Sequence, residues 1–232
     1  MLKKLFLFDC EWVPIVKNYG ELSKFPTLKD AWDRRCVKWN DDKKKKGDSE
    51  MTPSEYWDVD AHWHAEFNKM VCISFGYHTA TGEFKTNSIY GHDETEILTL
   101  FNKLLLSVEK KNYILSGYAI KRFDMPWTAK RMMINGIKPS KLLNVYGQKP
   151  WDVNVYDLPE VWGMGCNQEN YTPFDWATVA LGIETSKSDI GGADVKRVYY
   201  EEGDAGLERI KTYCEKDVTV SYELAKKLLE LS

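Results

Sequence analysis

The sequence predicts an α/β fold in which a mixed sheet is flanked by helices, and three observations carry that reading. A short unbroken apolar run, Leu5 to Phe8, has the pattern of a strand buried on both faces. Two β-rich stretches joined by a turn signal follow it. Helical and strand-like patterns then alternate along the remainder of the chain.

The first strand carries Asp9 and Glu11 at its end. From about residue 19 to residue 69 charges dominate, Lys43 to Lys46 form a basic run, and tryptophans punctuate the stretch at 32, 39, 57 and 63. This reads as a charged helical insertion within a single domain spanning residues 1–232. Thr52-Pro53-Ser54-Glu55 has the form of a capping box with proline at the first helical position, so a helix is expected to start there and run toward Phe67. The lysine run sits beside Asp41, Asp42, Asp48 and Glu50, which favours a solvated face over a nucleic-acid contact.

Met70 to Tyr77 and Glu83 to Tyr90 are separated by Thr79-Ala80-Thr81-Gly82, a hairpin signal. Glu94 to Leu106 places Ile97, Leu98, Phe101, Leu104 and Leu105 at helical spacing, and Tyr113 to Leu115 is a short strand ending at Gly117. Asp124 to Ile134 resumes helical spacing, with Pro126 tolerated in its first turn. Val153 to Tyr156 is expected to be a strand and Phe174 to Leu181 a helix closed by Gly182. Leu207 to Leu231 reads as one long helix or two abutting ones.

Composition narrows the function classes. Hydrophobic residues at 43% and charged residues at 29% of 232 suit a globular domain and argue against disorder, collagen or a coiled-coil rod. With 32 basic against 35 acidic side chains the formal net charge is -3, so any grip on a polyanion must come from local patches or bound cations. Cys10, Cys36, Cys72, Cys166 and Cys214 form no C-x-x-C pair, which predicts reduced thiols rather than a zinc ribbon. The apolar start stops at Asp9 with no small-residue cleavage site, and no run approaches the length of a membrane span. A soluble cytoplasmic protein is expected. His62-Trp63-His64 invites a metal-site reading, against which its lack of identifiable partners counts.

Three segments carry candidate chemistry. Asp9 and Glu11, two apart on a strand, project to one face at a strand end, where open α/β sheets place ligands. Gly117-Tyr118-Ala119-Ile120-Lys121-Arg122-Phe123-Asp124 runs from a strand end through a turn to a helix start, and Asp124 reads as a helix N-cap, a ligand, or both. Tyr213 and Asp217, four apart on a helix, stack phenol over carboxylate; the bland alternative is an amphipathic helix with Tyr213 packed and Asp217 in water. The chain shows no G-x-S-x-G elbow, phosphate loop or dinucleotide fingerprint.

In order and spacing these segments resemble the three motifs of the DEDD exonuclease superfamily, in its tyrosine-bearing subgroup. Asp9-x-Glu11 is similar to the first motif, Gly117 to Asp124 to the second, and Tyr213-x-x-x-Asp217 to the third. Phe123-Asp124-Met125-Pro126 resembles the proofreading domain of family-B DNA polymerases. Ser188-Asp189-Ile190-Gly191-Gly192 with Glu208 to Asp217 resembles small bacterial and phage proteins related to that domain. Two positions depart from the pattern: Ala119 stands where asparagine is common, which removes or replaces a hydrogen bond around Asp124, and Trp12 stands where threonine is frequent.

The resemblance implies a ribonuclease-H-like five-stranded sheet, a metal-dependent 3′–5′ exonuclease and nucleoside 5′-monophosphate products. It makes Asp9, Glu11, Asp124 and Asp217 the metal ligands and Tyr213 the residue that orients the attacking water. Four convergent carboxylates would demand cations between them, and all-oxygen ligation favours Mg²⁺ or Mn²⁺, two ions about 3.5 to 4 Å apart. Single-stranded nucleic acid, DNA in preference to RNA, is the expected substrate, with Trp12, Lys121, Arg122 and Phe123 as candidate contacts and Lys130 and Arg131 as further cations that could steer the strand. No polymerase segment is evident in these residues, so proofreading would serve a separate polymerase or replication factor. An exoribonuclease of the same fold and a catalytically silent nucleic-acid- or polymerase-binding module stay open as alternatives.

Overall fold

The computed structural model describes residues 1–149, 152–165, 172–185 and 189–231. Two compact units divide the chain: Met1–Glu11 with Met70–Ser232, and Trp12–Lys69. Cys166 and Ser188 lie outside the described residues; Cys10, Cys36, Cys72 and Cys214 are free thiols. Among the described residues no helix is long and apolar enough to cross a membrane.

The larger unit is built on a five-stranded sheet in the order β3-β2-β1-β4-β5. Its strands are β1 (Leu5–Pro14), β2 (Asn68–His78), β3 (Phe84–Tyr90), β4 (Ile114–Gly117) and β5 (Val155–Asp157). The sheet is mixed, because β2 and β3 pair antiparallel while β4 runs parallel to both β1 and β5. The apolar run puts β1 at the centre, with Leu5 to Phe8 each at most 1% exposed. The hairpin closes where its turn residues predict: the Thr79 N–H donates to Glu83 O at 2.8 Å, and Gly82 takes a φ of 85°. Val153 falls short of β5, since the Val155 N–H folds back onto the Val153 carbonyl at 2.8 Å.

Strand periodicity assigns the two faces of β1 to different helices. Leu5 and Leu7 join Val218, Leu224, Ala225 and Leu228 of α7 (Val195–Leu231) in one core cluster, with Leu158 of α5 (Leu158–Trp162) and Ala177 of α6 (Phe174–Ala180). On the opposite face Phe8 packs 5.5 Å from Phe101 of α3 (Glu94–Lys110), next to α4 (Asp124–Ile134). Helix α7 settles the question its sequence left open. Leu207 to Leu231 is one uninterrupted helix, and the break lies before it at Gly203, whose φ of 59° and ψ of -131° suit only glycine and where a preceding helical segment from Val195 abuts it.

The smaller unit holds α1 (Pro26–Lys46) and α2 (Pro53–Asp60) around an aromatic core of Trp32, Tyr56 and Trp57. The capping box at Thr52 and Glu55 forms. The helix it starts stops at Asp60 rather than near Phe67, because the Asn68 side-chain amide donates to the Ala61 and His64 carbonyls and draws the chain into short 3-10 turns. His64 packs among Trp32, Trp39 and Phe67, the setting of a core histidine.

Candidate active site

The same alternation that buries Leu5 and Leu7 under α7 aims Asp9 and Glu11 toward it. The parallel register sets Leu7 against Ser116 and Gly117 against Asp157, so the carboxyl ends of β4 and β5 lie side by side next to the middle of β1, which runs on through Asp9 and Glu11 to Pro14 instead of ending at them. At that edge Gly117 is required by space: a Cβ there would lie 2.6 Å from the Phe8 carbonyl oxygen. The turn from Gly117 to Phe123 then delivers Asp124 to β1, where Asp124 Oδ1 accepts the Cys10 N–H at 2.9 Å. The N-cap expectation for Asp124 is corrected: Phe123 holds the cap position and Asp124 is the first helical residue, its carboxylate turned to the strand. An acidic group in a first helical turn also suits the helix dipole.

Helix α7 completes the cluster. The Cys214 thiol donates to Asp9 Oδ2 at 3.3 Å and lies 3.4 Å from the Asp9 carbonyl. Tyr213 donates its hydroxyl to Asp217 one turn on, as their spacing predicts. Asp124 and Asp217 are buried, at 5% and 7% exposure, while Asp9, Glu11 and Tyr213 are partly buried. The bland reading of Asp217 as a water-facing residue is therefore set aside. Among the described residues, one group of side chains brings metal-ligating atoms together, Asp9, Glu11 and Cys214, within 4.8 Å of one another.

The electrostatics are those of crowded acids. Loss of water raises the Asp9 pKa well above the carboxylate range, and Asp217, Asp124 and Glu11 push it further. Glu11 is raised by burial and then by Asp217. Asp124 is pushed up to about 7, chiefly by burial, with backbone hydrogen bonds pulling the other way and the neighbouring Asp157 adding repulsion. Burial and the charges of Glu11, Asp217 and Asp9 drive the Tyr213 phenol upward, so it keeps its proton at any physiological pH.

The expected substrate contacts divide. Arg122 is exposed and stacks over the Phe123 ring at 5.2 Å, whereas Lys121 is held by Glu160 at 2.7 Å. Trp12 belongs to the smaller unit, where its indole N–H donates to the His62 carbonyl at 3.2 Å. Arg131, expected as a strand-steering cation, is instead 6% exposed and locked onto Glu94 by two short hydrogen bonds, at 2.8 and 2.6 Å; Lys130 is exposed. Beside Tyr213 a cleft of about 210 Å³ is lined by Ile190, Thr212 and Lys216 together with Asp189, which pairs with Arg209.

Two residues escaped the sequence reading. Cys214 lay unnoticed inside the third motif, with nothing in its spacing to mark a bond to Asp9. Asp157 carried the same signal as Asp9, an acid ending an apolar strand. It is 4% exposed, accepts the Ile120 N–H at 3.1 Å and is pushed up to about 7, mainly by burial.

The family of predicted 3′–5′ exonucleases related to the exonuclease domain of PolB matches residues 61–229. The chain belongs to that family. The match to this PolB-related family spans the second and third motifs, while Asp9 and Glu11 precede it. Among solved structures, the family B DNA polymerase from the hyperthermophilic archaeon Pyrobaculum calidifontis is similar, with a TM-score of 0.59 at 16% identity. The similarity covers 97% of this chain and 24% of that one, so this chain spans about a quarter of the polymerase's length. It supports the ribonuclease-H-like fold expected from the motifs. No curated protein matches the chain.

Proposed function

We propose that this protein is a metal-dependent 3′–5′ exonuclease that releases nucleoside 5′-monophosphates from single-stranded DNA or frayed 3′ ends. One observation supports the reading: acids from three distant segments crowd together, with burial and the charges of Asp217 and Asp124 raising Asp9 and Glu11 above the ordinary carboxylate range, and burial raising Asp124. Such crowding is costly unless cations neutralise it. The carboxylates of Asp9, Glu11, Asp124 and Asp217 offer oxygen donors that fit hard divalent ions, and the Cys214 thiol beside them, pushed up by burial, keeps its proton and donates to Asp9. When bound, two Mg²⁺ or Mn²⁺ ions would supply the charge that activates water and stabilises a departing 3′ oxygen.

The chain's own groups supply the rest. Tyr213, which retains its proton, orients the attacking water through a hydrogen bond and does not act as a base. Asp217 fixes the phenol, and the Cys10 N–H and the Cys214 thiol fix Asp124 and Asp9. The stacked Arg122–Phe123 pair suits a phosphate with its adjoining base, Trp12 suits stacking on a terminal base or sugar, and Lys121, already paired, steers the strand more weakly. Kinship with the PolB exonuclease domain supports DNA over RNA. A separate polymerase or replication factor is the proposed partner, in replication or repair.

A 5′-labelled oligonucleotide incubated with Mg²⁺ or Mn²⁺ should give a ladder of shortened products. Asp9→Ala and Asp217→Ala should each slow it by on the order of 10³-fold. A ladder indifferent to both substitutions, or its absence from wild type with either metal, sinks the proposal. Faster degradation of a matched RNA would reassign the substrate.

A further inference from the structure

Asp157 ends β5 and occupies the N-cap position of α5, where an aspartate ordinarily accepts an N–H of its own helix. Its side chain makes no such bond. It reaches across the sheet edge instead and takes the backbone N–H groups of Ile120, at 3.1 Å, and Lys121. A nearly buried carboxylate that forgoes its local cap is costly, and what it secures is a strained turn.

The strain is visible at Ala119, a buried non-glycine residue with a φ of 60°, in the left-handed region that L-residues avoid. Asparagine, the residue the second motif commonly shows here, tolerates that conformation better. The turn closes on itself as the Arg122 and Phe123 N–H groups donate to the Ala119 carbonyl and the Met125 N–H to that of Ile120. Such a conformation persists only when its surroundings over-determine it. Its last residue leads directly into Asp124, whose carboxylate must meet the Cys10 N–H.

We infer that Asp157 is a positioning residue for the acidic pocket, setting the place of Asp124 relative to Asp9 and Glu11 by anchoring the backbone at Ile120 and Lys121. The inference rests on the nuclease reading above. It requires an acceptor of aspartate's length at position 157, so Asp157→Asn keeps the anchor while Asp157→Ala and Asp157→Ser lose it. Groups of this supporting kind are worth about 10- to 100-fold in metal affinity.

Calorimetric titration of Mn²⁺ into wild type, Asp157→Asn, Asp157→Ala and Asp157→Ser tests it without reference to cleavage. Asp93→Ala serves as the control, because it removes the N-cap bonds of α3 and lowers stability without touching the turn. We expect Mn²⁺ affinity at least about tenfold weaker in Asp157→Ser and, where it folds, Asp157→Ala, near wild type in Asp157→Asn, and unchanged in Asp93→Ala. Wild-type affinity in Asp157→Ser, or a loss in Asp157→Asn as large as in Asp157→Ser, overturns the inference and leaves the nuclease reading standing. A wild-type protein that binds no Mn²⁺ overturns both.

Discussion

Two buried acidic sites sit in the larger unit and have opposite characters. Glu94, 9% exposed, is answered on every side: its carboxylate accepts two bonds from Arg131, the Met70 N–H at 2.7 Å and the Asn135 amide at 2.9 Å. The acids around Asp9 answer one another with repulsion, and their largest influences are burial and further carboxylates. A buried charge with a well-matched partner marks a structural joint, whereas buried like charges mark a place reserved for something the chain does not supply. The contrast also explains why Arg131, close in sequence to the second motif, is bound to Glu94.

The comparison can be broken most forcefully by removing one charge from each site. Asp124→Asn keeps an acceptor for the Cys10 N–H but relieves repulsion, so it should cut nuclease activity on the order of 10³-fold and raise the melting temperature of the metal-free protein. A lower melting temperature would contradict the account of the pocket. At the other site, Arg131→Met strands Glu94 and should cost about 3–5 kcal/mol in urea unfolding. Adding Glu94→Gln should return much of that loss.

A pH series sharpens the same contrast. Asp124 and Asp157 sit near 7 in the folded chain against 3.8 ordinarily, so the native state holds more protons than the unfolded one between those values. Metal-free stability should therefore decline as pH rises from about 4 toward 7 and change little above that on their account. Thermal melts should show the decline, and saturating Mn²⁺ should flatten it. A rise in stability over this interval would count against the raised values. The smallest effect is expected at Ala119, where Ala119→Gly relieves left-handed strain at some entropic cost and should raise the unfolding free energy read from urea titration by about 1 kcal/mol or less.

Much of this was legible in the sequence, for local reasons. The apolar run of β1, the Thr79–Gly82 turn and the start of α4 at Asp124 depend on neighbours a few residues away, as does the Tyr213–Asp217 pairing. What could not be read depends on register between distant strands. The Asp157 bond to Ile120 exists only because β5 lies parallel to β4 with Gly117 opposite Asp157. The Glu94–Arg131 joint needs α3 and α4 side by side, so Arg131 read as one more surface cation. The overlong second helix of the insertion failed for a similar reason, since its end is set by Asn68 bonding back to Ala61 and His64.

The bond between Cys214 and Asp9 joins residues 205 positions apart. A chain still emerging from the ribosome therefore possesses its first acidic pair long before the helix that must cover it has been synthesised. The acidic cluster stays incomplete until Asp217 has been added, and a chain stopped short of α7 carries Asp9 and Glu11 without the groups that close over them.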